Sequence, residues 1–169
     1  ECSSLTSLPN ELSNFTSLTT LNICKYFSLI LLSIELDNLT SLTTFYISRC
    51  SSLISLPNEL DYFTTFTNFD ISMCLSSTSL SNEFRNLTSL TTFYISGYLS
   101  LTSLLNELDN LTSLINLDIS ECSSLTSFPN KLDNLTSFTT LYIIKYSSLS
   151  FVPIGLSSYL RKDIIDFKG

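Results

Sequence analysis

Apolar residues along this chain return at fixed intervals. From Leu18 the order is Leu18, Leu21, Ile23, Tyr26 and Leu29, with polar residues between them. The next stretch reads Leu42, Phe45, Ile47, Cys50 and Leu53. The same spacing follows at Phe66, Phe69, Ile71 and Cys74, then at Leu90, Phe93, Ile95 and Tyr98, and again at Leu114, Leu117, Ile119 and Cys122. The pair Leu21-x-Ile23 alternates with period two, which predicts a short strand with one buried face. A second segment, such as Leu53-x-x-Leu56-Pro57-x-x-Leu60-x-x-Phe63, places apolar residues at every third position. Proline interrupts a strand there, and the three-residue spacing predicts a 3₁₀ or similar short turn.

One strand and one return occupy 24 residues, and this unit recurs about seven times without insertion or deletion. Leu12, Leu36, Leu60, Phe84, Leu108, Leu132 and Leu156 fall one period apart. So do Ile23, Ile47, Ile71, Ile95, Ile119 and Ile143, with Phe167 as the last. A fixed period of this length predicts a solenoid, in which each unit buries its apolar side against its neighbours. The expected architecture is an α/β solenoid of horseshoe form. A parallel sheet of about seven short strands lines its concave side, and loops with 3₁₀ turns form its convex side. Residues 1–169 read as one array, with a degenerate terminal unit at 152–169. There Lys162 takes the place of the first strand Leu, while Ile165 and Phe167 keep the two inward positions. Arg161, Lys162, Asp163 and Asp166 suit a sheet edge that must not pair with another chain. No capping unit precedes Glu1, so the sequence reads as a fragment of a longer array.

These residues resemble the leucine-rich repeat family over essentially the whole chain. The local form is L-x-x-L-x-I-x-x-C/Y-x-x-L-x-x-L-P-x-x-L-x-N-L-T-S. It departs from the commonest version of the family by setting Cys or Tyr where Asn is usual. The variant C-S-S-L-x-S-L-P, as at Cys50 to Pro57, is similar to repeats near the C-terminal end of plant intracellular immune receptors, the nucleotide-binding-site disease-resistance proteins. The resemblance implies a cytoplasmic, non-catalytic module that recognises a protein ligand through its concave face. It also implies a sensing or autoinhibitory role, with intramolecular contact to an upstream domain. Two other readings stay open: an extracellular, glycosylated ligand-binding repeat protein, and a structural or ice-binding solenoid.

Composition narrows the function classes. The chain is 44% hydrophobic and 14% charged, with a mean hydropathy of +0.31. Its apolar runs are short, as in the four residues Leu29 to Leu32, whereas a membrane-spanning helix needs about 18 or more. The net charge is −7 and the eight basic residues are scattered, which argues against a nucleic-acid partner, since tracking phosphates needs a clustered basic face. Histidine is absent, so triads and zinc sites built on it are excluded. Gly97, Gly155 and Gly169 are isolated, and no phosphate-cradling loop exists. Asp70, Asp118 and Asp166 stand two strands apart, about 10 Å, which is too far to share one metal ion. No enzyme, cofactor or metal is expected.

Recognition chemistry is expected on the exposed ladders. Equivalent positions of successive units stack into columns about 4.8 Å apart. The column at position 22 reads Asn22, Tyr46, Asp70, Tyr94, Asp118, Tyr142 and Asp166. Its alternation of Tyr and Asp implies a 48-residue super-repeat, and Asn38–Ser48 is identical to Asn86–Ser96. Exposed Tyr supplies rigid amphipathic contact area of the kind protein interfaces favour. Beside it runs a more variable column, Lys25, Arg49, Met73, Gly97, Glu121 and Lys145, suited to tuning specificity or to forming a solvated rim. Positions 20 and 24 are expected to share the concave face with position 22. Their hydroxyl ladders could in principle bind ice, but the bulky Tyr column between them argues against it.

Cys2, Cys50, Cys74 and Cys122 share one column with Tyr26, Tyr98 and Tyr146, and Cys24 lies elsewhere. Interchange of Cys with Tyr predicts a semi-buried packing position and reduced thiols. Five sequons, at Asn14, Asn38, Asn86, Asn110 and Asn134, occupy one repeat position. The hydroxyls of Thr16, Thr40, Thr64, Thr88, Thr112 and Thr136 are expected to satisfy turn backbone.

Overall fold

A computed structural model of the chain describes residues 5–32, 36, 38–56, 60, 63–74, 84, 86–99, 101, 102, 104, 108, 110–125 and 134–143. A 3₁₀ helix at Asn10–Asn14 is followed by β1 (Thr20–Asn22), β2 (Thr44–Tyr46), β3 (Asn68–Asp70), β4 (Thr92–Tyr94), β5 (Asn116–Asp118) and β6 (Thr140–Tyr142). The six strands form one sheet in the order β1-β2-β3-β4-β5-β6. Each pairing is parallel and displaced by one period, as in Leu21↔Phe45 and Phe45↔Phe69. Neighbouring parallel strands require the chain to return between them. A return of about twenty residues between successive strands therefore coils the chain into a solenoid. The seventh strand expected around Ile165 and Phe167, like the degenerate unit at 152–169, lies outside the described residues.

The hydrogen-bond ladder outruns the three-residue strands. Before each strand the Thr43 and Thr67 amides donate to the Thr19 and Thr43 carbonyls at 2.9 and 2.8 Å. After each strand the Ile47 and Arg49 amides donate forward, to the Asp70 and Ser72 carbonyls, at 2.8 Å each. The Thr43, Thr67 and Thr91 hydroxyls donate to the carbonyls of Thr19, Thr43 and Thr67. These are the hydroxyls that tie backbone together. The Thr16, Thr40, Thr64, Thr88, Thr112 and Thr136 column, expected in that role, is exposed throughout. The residue just before the strand aims its hydroxyl at the carbonyl of its equivalent in the preceding unit, whereas the Thr16 column faces water.

Burial follows the two periods read from the sequence. Strand centres Phe45, Phe69, Phe93 and Leu117 are fully buried, and so are Ile47, Ile95 and Ile119 two residues on. Leu36, Leu60, Phe84 and Leu108 close the core from the return side. The centre of this core is aromatic, with Phe45 and Phe69 stacked at a 5.7 Å centroid separation. On the return side, isolated parallel bridges join Ser7 to Leu31 and Leu31 to Ser55.

The cysteine column departs from its expectation. It is not semi-buried: Cys50, Cys74 and Cys122 are at most 2% exposed. They form no disulfide, and their thiols donate to the carbonyls of Ile23, Ile47 and Ile95 at 3.3, 3.1 and 3.2 Å. Those carbonyls belong to the turn leaving the preceding strand, where a buried acceptor needs a donor. A small side chain with a weak S–H donor both fits and satisfies them.

Candidate functional site

The concave face is built from the first and third side chains of each strand. Because a strand alternates its side chains, burying Leu21, Phe45, Phe69, Phe93, Leu117 and Leu141 turns the flanking positions outward, and each strand reads outward-buried-outward. Register then stacks Asn22, Tyr46, Asp70, Tyr94, Asp118 and Tyr142 into one column. Asp70 lies between Tyr46 and Tyr94, and Asp118 between Tyr94 and Tyr142. Tyr94 and Tyr142 are exposed, at 36% and 43%, and Tyr46, Asp70 and Asp118 are half-buried. Asp166 and Lys145 of the expected set lie outside the described residues.

Each carboxylate is held at one oxygen. Asp70 Oδ1 accepts from the Ser72 amide and Asp118 Oδ1 from the Ser120 amide, both at 2.8 Å. Asn22 Oδ1 accepts from the Cys24 amide in the same way, at 3.0 Å. These Asx turns steer the chain off the strand. They also correct one expectation, because position 24 does not share the concave face uniformly. Ser72 and Ser120 are buried, drawn under the turn by their amide bonds, and the Ser48 hydroxyl donates to Cys24 Sγ at 3.1 Å.

The variable column owes its place to backbone conformation. Lys25, Arg49, Met73 and Glu121 have φ between 59° and 67°, and Gly97 has φ 70°. They occupy the left-handed turn at the strand exit, so Lys25 and Arg49 project from the rim, exposed, and Glu121 is half-buried there. Only Gly97 hinted at this in the sequence, since the other residue types disfavour the conformation. An open depression of about 320 Å³ lies between Asp70 and Tyr94 on the face, reaching the rim at Arg49 and Met73.

The column is electronegative. Partial burial raises the Tyr94 phenol above its ordinary value, and the neighbouring Tyr142, Asp118, Tyr46 and Asp70 add to the shift. Among the described residues neither Asp70 nor Asp118 has an ion-pair partner. Also among the described residues, no group of three or more Cys, Asp or Glu could hold a metal ion, and no helix is long and apolar enough to cross a membrane.

Known structures share this coil. Over 90% of its length the chain is similar to a leucine-rich repeat protein of Leptospira interrogans, at 25% identity and a TM-score of 0.78, and it spans 37% of that protein. It is similar to an internalin of Listeria monocytogenes at 18% identity and a TM-score of 0.53, covering 91% of this chain and 55% of the other. A plant peptide hormone receptor, RGFR1 in complex with RGF2, matches at 19% identity and a TM-score of 0.58, over 98% of this chain and 36% of the receptor. No protein-family model and no curated protein sequence matches the chain. The fold is the leucine-rich repeat solenoid with a parallel concave sheet. The leptospiral neighbour is a leucine-rich repeat protein by name, and the internalin and the plant receptor share its fold with this chain.

Proposed function

We propose that the chain is a non-catalytic recognition module that takes a protein ligand on its concave sheet. The observation that carries this reading is the column Tyr46, Asp70, Tyr94, Asp118 and Tyr142, in which aromatic and acidic groups stand in register on a rigid sheet. Among the described residues, the carboxylates bond only to the turn beside them. Tyr at an interface contributes large contact area at low entropic cost. Arg49, Lys25 and Glu121 border the face and suit the polar rim of such an interface. Ligand-bound receptors occur among the structural neighbours, RGFR1 with RGF2 being one. The C-S-S-L-x-S-L-P wording favours the sensing or autoinhibitory segment of a plant intracellular immune receptor, working in the cytoplasm against an upstream domain.

The test is affinity capture with the chain beside a Tyr46→Ala, Tyr94→Ala, Tyr142→Ala triple variant of unchanged circular dichroism. Partners held by the first and lost by the second support the reading. Identical partner sets, or none, return the Tyr column to a by-product of duplication.

One observation favours a second reading, an extracellular glycoprotein. The five sequon residues Asn14, Asn38, Asn86, Asn110 and Asn134 are all exposed. Secretion from a eukaryotic host, followed by a mass loss on glycosidase treatment, would support it, and an unmodified secreted chain would sink it.

A further inference from the structure

The concave column is two copies of one small site. Asp70 is flanked in register by Tyr46 and Tyr94, and Asp118 by Tyr94 and Tyr142. Each copy is a carboxylate between two phenol rings, with Tyr94 shared. A guanidinium or ammonium seated on the carboxylate would gain an ionic hydrogen bond and lie against the faces of both rings. The copies stand two strand spacings apart, about 9.6 Å. A ligand that fills both must therefore present cations at that interval on one side.

Polyproline II helix does this. It repeats every three residues with a rise of about 3.1 Å per residue, returning the same side after about 9.3 Å. An extended β-strand does not, because residues three apart point to opposite sides. The polyproline helix also makes no hydrogen bonds of its own, leaving its carbonyls free for the tyrosine hydroxyls and for Arg49 at the rim of the depression beside Asp70. We propose that the ligand is a proline-rich segment in polyproline II conformation with Arg or Lys at every third position, lying across the strands. The cations meet Asp70 and Asp118, and the intervening prolines pack on Tyr46, Tyr94 and Tyr142. This rests on the reading of the concave sheet as the binding face, and it names the chemistry of the partner.

The test uses the 169-residue chain and three fluorescent dodecapeptides: (Arg-Pro-Pro)₄, (Glu-Pro-Pro)₄ and (Arg-Pro)₆. The third carries more positive charge but a two-residue period, so simple charge attraction would favour it. Expected in fluorescence anisotropy is binding of (Arg-Pro-Pro)₄ at least tenfold tighter than (Arg-Pro)₆, and no binding of (Glu-Pro-Pro)₄. Asp70→Asn with Asp118→Asn should weaken (Arg-Pro-Pro)₄ tenfold or more while leaving circular dichroism unchanged, because Asn22 already makes the same turn with an amide oxygen. Equal or tighter binding of (Arg-Pro)₆ overturns the proposal, and so does binding that ignores the two Asn substitutions. If partners depend on the three tyrosines in affinity capture but (Arg-Pro-Pro)₄ does not bind, the concave-face reading stands and this inference falls. If neither is seen, both fall.

Discussion

The rings of Phe69 and Phe93 stack with centroids 5.6 Å apart and an interplanar angle of 1°. Register alone brings them together, since Phe69 pairs with Phe93 across β3 and β4. Phe45 continues the stack, and Phe66 and Phe84 tilt against it from the return side. The middle of the array is thus aromatic, while Leu21, Leu117 and Leu141 fill the same level elsewhere. Phe69→Ala would leave a cavity with two unsupported rings and should cost about 3–5 kcal/mol. Because each unit leans only on its neighbours, the loss should also broaden unfolding by uncoupling the two halves. Urea denaturation followed by circular dichroism checks both, and an unchanged midpoint would contradict the placement of Phe69.

The strand-exit turns hold side chains in a conformation that suits glycine. A left-handed residue with a side chain costs about 1–2 kcal/mol, part of which glycine returns through its freer unfolded state. Arg49→Gly and Met73→Gly should therefore each stabilise the chain by roughly 0.5–1 kcal/mol. Gly97→Ala should destabilise it, because φ is +70° and the added Cβ would come within 2.9 Å of Met73 Cγ. Thermal melts of the three variants would show opposite signs. Melting points all moving one way would contradict the turn geometry.

Tyr94 should titrate above the ordinary phenol value of about 10, for reasons of partial burial and negative neighbours. Its folded state holds the proton more tightly than the unfolded state. Its contribution to stability is therefore whole below the unfolded pKa and is lost as pH rises through the folded one. Ultraviolet difference titration of the chain against Tyr94→Phe isolates this phenol, and Asp118→Asn should move it downward. A Tyr94 titration at or below the ordinary value would refute the electronegative column.

Thiol reactivity should follow exposure. The neighbouring Cys50 sulfur and burial both push the Cys74 thiol up. The Cys74 thiol in turn lowers Cys50, against the opposing effect of burial. Sealed from solvent, Cys50, Cys74 and Cys122 should resist maleimide in the native state, whereas the half-buried Cys24 should react before these three. Peptide mapping by mass spectrometry reads the order, and denaturant should erase it. Native labelling of Cys74 as fast as Cys24 would contradict the buried column.

Most of the face was legible in the residues. The alternation Leu21-x-Ile23 named the inward positions, and the fixed period named their partners, so the neighbours of Tyr46, Asp70 and Tyr94 could be read by counting. The burial of Ser72 and Ser120 could not. Serine at position 24 looks outward by alternation, yet Ser72 and Ser120, whose amides bond the preceding Asp, lie buried. Nor did Cys50 reveal that its S–H satisfies Ile23, 27 residues earlier.

The sequence by itself determined the period, the strand register, the inward and outward faces, and the ladder of Tyr and Asp. It could do so because the strand pairings of a solenoid join equivalent positions of adjacent units, which turns lateral neighbours into a sum over sequence. Tertiary structure alone decided the sign of φ at Lys25, Arg49, Met73 and Glu121, the burial of the serines and the thiol bonds to turn carbonyls. Those depend on how the chain closes each coil. The ladder of hydrogen bonds from the Arg49 and Met73 amides to the next unit holds the turn in a conformation that the local side chains would not choose.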